Sequence, residues 1–507
     1  MHLHTPSRLV IACQALKPVH AHKSFIRQAT SSAESRKEGD ISSVFVSLSG
    51  KEEAPLPPRF AEQKKRLIAG REDQIERSWH RLLHTLKDEV RLIEQRGSDI
   101  IPSIDFKDIH AAPKTFRDEL RKRGVAVIRG VVPEHDARAY KNEIEDYVKA
   151  NPGTKAFPPH DPQVYELYWS QPQMRARTHP NMLEAQRFLM SFWHSNSPDA
   201  MISSTHPLTY ADRLRIRQPG DAGFALGPHV DGGGPERWED NGYGRGNVYQ
   251  RIWQGEWEKY DPWEASCRVL AEADLYNGAG ACSMFRMFQA WLGMSHTGPN
   301  EGTLLVNPLL SLATTYFLLR PFCEPIYTPP KECSRMATET FLHPSNWRLE
   351  RETSSNLQGA TPGFAQEVTA TLHPHLELEK TMVHVPKIAP GDYVAWHCDT
   401  IHAVDRVHNG TGDSSVMYIP ACPVTEANAN YVKRQRNDFL EGVPPPDFPG
   451  GKGESEHLGR ATEAGLRKST SQLGLRSLGL TKWDLNDQSL TQGQRLVLDK
   501  SNKILGF

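Results

Sequence analysis

The stretch Gly227-Pro-His-Val-Asp-Gly-Gly-Gly234 constrains the fold of this chain more tightly than any other. His229 and Asp231 stand two residues apart, and in an extended strand residues i and i+2 share a face. One strand can therefore offer an imidazole and a carboxylate to a single metal ion. The glycines that follow remove side-chain bulk, which suits a place where a ligand comes close to the main chain. A His-x-Asp triplet alone also arises at surface strand ends. It becomes a site only if a strand distant in sequence carries a third ligand to its side.

The best third ligand is His402, in Trp396-His-Cys-Asp-Thr-Ile-His402-Ala-Val. It follows a Gly391-Asp392 turn and a β-rich run. Two histidines and one carboxylate, with the opposite coordination positions open, are the donor set of non-haem Fe(II) oxygenases.

Composition narrows the classes of partner. Sixty Lys and Arg against 61 Asp and Glu leave a net charge of -1, so no overall field favours nucleic acid or an anionic membrane. The expected partner is a small-molecule substrate. The seven cysteines form no C-x-x-C pair and are odd in number, which argues against a disulfide framework and against a cysteine-built zinc site. The apolar run Leu304 to Leu319 contains Asn307, Pro308, Ser311, Thr314 and Thr315 and is too short to span a bilayer; it reads as a strand running into a helix. The first 33 residues carry Arg8, Lys17, Lys23 and Arg27 and no acid before Glu34. That composition resembles a mitochondrial presequence. An ordinary disordered N-terminus on a cytoplasmic protein is the leading reading, and mitochondrial import the alternative.

Along the chain, Ile75, Trp79, Leu82, Leu83, Leu86, Val90 and Ile93 recur at three- and four-residue steps, so an amphipathic helix is predicted over Asp73 to Arg96, with Gly97 as its stop. Helices are also predicted over Phe116 to Lys122, from Pro133 to about Ala150, and from Asn181 to Trp193, with a strand over Gly124 to Gly130. Arg213, Arg215 and Arg217 alternate with Leu214 and Ile216, so a strand here puts three cations on one face. A solvated face is the first expectation for such a row. The aromatics from Trp238 to Trp263 are expected to anchor a long insertion to the sheet. Cys282 to Leu292 reads as a buried strand and Gly302 to Pro308 as its hairpin partner; further strands are expected over Met382 to Val385, Gly391 to His397 and Ser414 to Ile419. A helix over Ala427 to Gly442 and a last one near Glu463 to Leu473 close the chain.

Several stretches together resemble the DUF1479 family: YADRLRIRQPGDAGFALGPHVDGGG, VYQRIWQGEWEKYDPW, FRMFQAWL, EGTLLVNPLL and LRPF. The resemblance runs from about residue 70 to 460. The order His-x-Asp, apolar strand, Gly-Thr-Leu-Leu-Val-Asn-Pro, Gly-Asp and distal His also resembles the Fe(II)/2-oxoglutarate dioxygenases, in particular their phytanoyl-CoA hydroxylase-like branch. The resemblance implies an α+β fold with a double-stranded β-helix (jelly-roll, cupin-like) core, a helical N-terminal layer, a long insertion and a C-terminal helical extension. The expected organisation is a disordered or targeting segment over 1–60, one catalytic domain over 61–445 with its barrel at about 205–425, and the extension over 446–507. It implies Fe(II) held by His229, Asp231 and His402, 2-oxoglutarate as co-substrate, and oxidoreductase activity.

In the wider dioxygenases an Arg or Lys some ten to fourteen residues after the distal histidine commonly binds the far carboxylate of 2-oxoglutarate. Here Gly412 to Val416 fill that window without a cation. Arg217, Arg286 and Arg406 are the candidates to replace it, because a guanidinium matches a carboxylate with two parallel hydrogen bonds. His397 reads as a hydrogen-bonded core residue or a second ligand, His373-Pro-His375 as a surface turn, and Asp399 or Asp405 as exposed groups or as carboxylates orienting His402. Two other readings stay open: a non-enzymatic barrel that binds a metal and a small acid as sensor or store, and a metal-dependent hydrolase or isomerase. Gly-x-Ser-x-Gly, Gly-x-Gly-x-x-Gly and P-loop patterns are absent from the sequence.

Overall fold

The helix predicted from the seven-residue apolar stripe spans Glu72–Arg96 and buries all seven of those side chains together with Ser78. Trp79 lies at its centre, fully buried and stacked 5.2 Å from Tyr316. Gly97 ends the helix at φ 52, with its N–H on the carbonyl of Ile93. The computed structural model describes residues 41–44, 56–223, 225–278, 281–330 and 334–507. The basic segment 1–33 lies outside them. Residues 36–507 form one unit.

Helices follow at Lys114–Arg123, Glu134–Ala150 and Pro180–Met190, close to their predicted spans, and at Gln171–Thr178, which the sequence reading left out. Gly124 caps the first of these at φ 70, and a Cβ there would meet the Thr400 hydroxyl at 2.8 Å and Leu310 at 2.9 Å. Only glycine suits both demands.

Two larger sheets carry the architecture, with two-stranded pieces beside them. The eight-stranded sheet runs Ser103–Asp105, Val125–Arg129, Tyr393–His397, Phe288–Gly293, Ser414–Tyr418, Leu214–Arg217, Val164–Tyr165 and Ala156–Phe157. The five-stranded sheet runs Gln366–Glu367, His229–Val230, His402–Val404, Leu304–Val306 and Val383–His384. Every pair in the two sheets is antiparallel except the first pair of the larger one. One core cluster joins the Glu72–Arg96 and Leu310–Leu319 helices to Val230, Leu304, Val306 and Val383 of the smaller sheet. A second packs Ile144, Leu189 and their neighbours on Ala126, Ile128, Leu292 and Met417 of the larger one. The fold is α+β, with helices covering both sheets.

Two expectations are corrected. The strand placed over Cys282 to Leu292 is confined to Phe288–Gly293, and Leu304–Val306 is not its hairpin partner, because it lies in the other sheet between Val383–His384 and His402–Val404. Both segments are apolar and turn-flanked, but the chain crosses from one sheet to the other through the intervening turn. The row Arg213, Arg215, Arg217 is not a solvated face. Leu214 and Ile216 occupy the core under the helices, so the arginines face the interior between the sheets, and Arg215 and Arg217 are buried.

The insertion behaves as expected, with Trp238, Tyr249, Trp253 and Tyr260 buried in the first core cluster. The C-terminal residues are part of the same body. The helix Gln492–Leu505, which the sequence reading did not include, starts with a Thr491–Gln494 capping box and packs on the helix Glu426–Glu441 and the strand Ile202–Leu208. Buried Glu454 accepts the backbone N–H groups of Tyr168 and Trp169 at 2.6 and 2.8 Å, tying the segment after Pro446 to the N-terminal half.

Candidate metal centre

His229 and His402 face each other as a directly paired position of neighbouring antiparallel strands, with ring centroids 4.1 Å apart. Sheet register thus brings His402 beside His229. Asp231 follows where the strand ends, its Oδ1 3.4 Å from His229 Nε2. One ligand atom from each of the three residues lies within 4.8 Å of the other two.

The hydrogen bonds of the imidazoles fix which nitrogen is available. His229 Nδ1 lies 2.8 Å from the Gly227 carbonyl, and His402 Nδ1 lies 3.1 Å from the Thr400 carbonyl. A carbonyl only accepts, so each ring carries its proton on Nδ1 and leaves the Nε2 lone pair for a cation. Burial, followed by the neighbouring His229, pushes His402 down to about 3, so it stays neutral at physiological pH. Asp231 is half-buried; desolvation alone would raise its pKa, but its neighbours His229, His402 and Arg286 hold the carboxyl well below the usual range. Two imidazoles that hold Nδ1–H on backbone carbonyls and present Nε2 beside an ionised carboxylate are a donor set that fits a divalent ion.

Gly232 and Gly233, both at φ 82, turn the chain immediately after Asp231. A Cβ on Gly233 would meet the Ala273 carbonyl at 2.5 Å, so this glycine answers first to the close approach of the insertion.

The three residues open onto a cavity between the sheets. Its wall takes Arg215, Trp291 and Tyr418 from the larger sheet and Val404 from the smaller one. Trp291 and Trp396 meet edge to face at 5.7 Å, and Trp396 lies 5.1 Å from His402. Phe448, beyond the Pro444-Pro445-Pro446 run, closes part of the wall.

The structure separates the three candidate arginines. Arg217 is fully buried, but it gives Nε to Asp221 at 2.5 Å and its remaining donors to the carbonyls of Asp405, Asp221 and Arg406. Its role is to tie loops together, and it is outside the cavity wall. Arg406 is exposed and is likewise outside that wall. Arg286 lines the cavity, with Nη2 3.3 Å from Asp231 Oδ2. Arg213 and Arg215 also line it, and neither was among the candidates. Alternation in the sequence shows that such residues share a face, but which face is buried depends on the covering helices.

The remaining histidines and acids have other work. His397 stacks on Trp193 at 4.6 Å; its Nδ1 accepts the Asp399 N–H and its Nε2 donates to the Pro262 carbonyl, so both nitrogens are used. Asp399 accepts from Arg268, Tyr249 and Tyr260. Asp405 accepts from His384 and from the Thr303 N–H. Neither acid orients His402, whose second nitrogen goes to a backbone carbonyl instead. His373 and His375 are buried, and His375 lies against Trp79 and Trp347, which corrects the reading of a surface turn.

An α+β protein with two antiparallel-rich sheets enclosing a two-histidine, one-carboxylate cluster is the class that fold and geometry define. Within it, the chain belongs to the Gig2-like (DUF1479) family, whose profile matches residues 54–480. Protein YbiU of Escherichia coli (strain K12) is 33% identical over 406 residues, covering 77% of this chain and 88% of that one. The crystal structure of GlcNAc Inducible Gene 2, GIG2, of Candida albicans superposes with a TM-score of 0.78 at 30% identity, covering 90% of this chain and 97% of that one. The Escherichia coli protein JW0805 superposes with a TM-score of 0.70 at 31% identity, over 84% of this chain and 99% of that one. Among the described residues no helix is long and apolar enough to cross a membrane.

Proposed function

We propose that this chain is a non-haem Fe(II)- and 2-oxoglutarate-dependent oxygenase acting on a small molecule, with the two sheets forming a double-stranded β-helix. The observation that carries this reading is the convergence of His229, Asp231 and His402, both histidines protonated on Nδ1, at the wall of the cavity between the sheets. When bound, Fe(II) with 2-oxoglutarate supplies O₂ activation coupled to release of CO₂ and succinate.

The chain contributes placement. The Gly227 and Thr400 carbonyls orient the two imidazoles, and Arg286 steadies the Asp231 carboxylate from the cavity side. Trp291 and Trp396 put apolar surface into the cavity wall beside His402. For the far carboxylate of the co-substrate we assign Arg215. Val416 is the last residue of the window after His402 in which a cation is expected, and Arg215 is its paired residue on the adjacent strand. Paired residues share a face, so the guanidinium reaches the same space from one strand over. Its Nη2 is braced on Gln163 Oε1 at 3.0 Å; burial lowers its pKa to about 10, which leaves it charged at neutral pH.

The test is anaerobic addition of Fe(II) and then 2-oxoglutarate to the purified protein. A metal-to-ligand charge-transfer band in the visible is expected. Normal metal binding without that band removes 2-oxoglutarate from the account.

A further inference from the structure

The assignment of Arg215 to the co-substrate leaves two other guanidinium groups in the cavity wall, Arg213 and Arg286. Their side chains are only 12% and 11% exposed. Each guanidinium carbon sits over an aromatic ring: that of Arg213 4.6 Å from the Phe448 centroid, and that of Arg286 5.7 Å from the Tyr210 centroid. A ring face attracts a cation without taking its N–H edges, which stay available to other partners.

Those edges are barely used. Arg213 gives Nε to its neighbour Asp212 at 3.3 Å, and Arg286 gives Nη2 to Asp231 at 3.3 Å; among the described residues neither makes another side-chain hydrogen bond. The carboxylates nearby are already engaged. Asp212 also accepts the Arg213 N–H at 2.7 Å, and Asp231 belongs to the metal cluster. Glu236 and Asp274, also in the wall, accept backbone N–H groups of Gly234 and Leu275 and of Gly278 respectively. The remaining N–H donors of both groups therefore open onto the cavity, where an acceptor on a bound ligand can take them. The two supporting rings, Phe448 and Tyr210, lie 6.1 Å apart, which places both guanidinium groups at one part of the wall.

We propose that the substrate of this site carries an oxyanion group, a carboxylate or phosphate, that is taken up by the N–H edges of Arg213 and Arg286, with Phe448 and Tyr210 as flat flanks. The proposal rests on the oxygenase reading for what happens after binding, because Asp231, the partner of Arg286, is one of the metal ligands. Binding the anion there holds the rest of the substrate beside the metal cluster. It also gives the segment after Pro446 a function, since Phe448 supports one of the two cations.

The test uses matched probes: butyrate against butyramide, and phenyl phosphate against phenol. Each is titrated by calorimetry into the metal-free protein and into the anaerobic Fe(II)/2-oxoglutarate complex, with the charge-transfer band followed in parallel. At least one anion is expected to bind about tenfold or more tightly than its uncharged partner. Arg213→Gln is expected to weaken that anion about tenfold to a hundredfold while the charge-transfer band persists, and Arg213→Lys to recover part of the loss. Persistence of the band shows that the variant is folded. The two acid–neutral pairs tell a carboxylate from a phosphate. Equal binding of charged and neutral partners overturns the proposal, as does an unchanged anion affinity in Arg213→Gln, or no anion binding at all in the millimolar range. If the wild-type protein gives no band yet binds anions through Arg213, the oxyanion site stands and the oxygenase reading falls.

Discussion

Replacing Arg215 by Gln separates a co-substrate clamp from a structural cation. Arg215 is 3% exposed, braced by Gln163, and register-paired to Val416 on the strand that leads away from the metal cluster. A buried guanidinium–carboxylate contact is worth about 2–5 kcal/mol when one partner is truncated. The Kd of 2-oxoglutarate should therefore rise by about thirtyfold to several thousandfold. Affinity for Fe(II) alone should hold, because the imidazoles are oriented by the Gly227 and Thr400 carbonyls and Asp231 is held by Arg286. The assay is anaerobic titration of the Fe(II)-loaded protein with 2-oxoglutarate, read at the charge-transfer band, with thermal unfolding run beside it. Arg215→Lys keeps the charge without the fork and should fall between the two. If Arg215→Gln titrates like the wild type while remaining folded, the assignment of the clamp is wrong.

Arg217→Gln should act differently: it strands Asp221 without its partner and should cost about 3–5 kcal/mol of stability, read as a lower urea midpoint. Trp79→Ala empties the centre of the helical layer and should cost about 3–5 kcal/mol by the same measurement. Acid should destabilise the fold early. Burial pushes His373, His375 and His397 down to about 3 from the ordinary 6.5. The unfolded chain takes up those protons first, so their contribution is complete above pH 6.5 and is lost as pH falls from 6.5 toward 3. The slope is about 1.4 kcal/mol per histidine per pH unit. Denaturant midpoints that stay level from pH 7 to pH 5 would contradict it.

What could be read from the sequence divides along the range of the interactions involved. The helix Glu72–Arg96 was legible because its seven apolar residues lie on one stripe, a pattern contained within the segment. That His229 and Asp231 lie together was legible because they stand two residues apart, whereas the approach of His402 comes from strand pairing. Pairing was not: nothing local tells Phe288–Gly293 from Leu304–Val306 as members of different sheets, since both are apolar and flanked by turns. The arginine row failed for a related reason. Alternation assigned the three cations to one face, but only the helices packed on Leu214 and Ile216 show that this face is interior. That Val416 pairs with Arg215 on the adjacent strand is likewise a matter of sheet register, which the sequence does not show. His373 and His375 look like turn residues in sequence and are buried by a helix from the other end of the chain.

The most direct test of the central claim is a crystal structure of the Fe(II)-loaded protein with anomalous data collected at the iron edge. The account predicts one iron per chain, bonded at about 2.0–2.2 Å by His229 Nε2, His402 Nε2 and an Asp231 oxygen, judging from values for first-row ions. Iron bound elsewhere, or bound with any of these three side chains turned away, contradicts it.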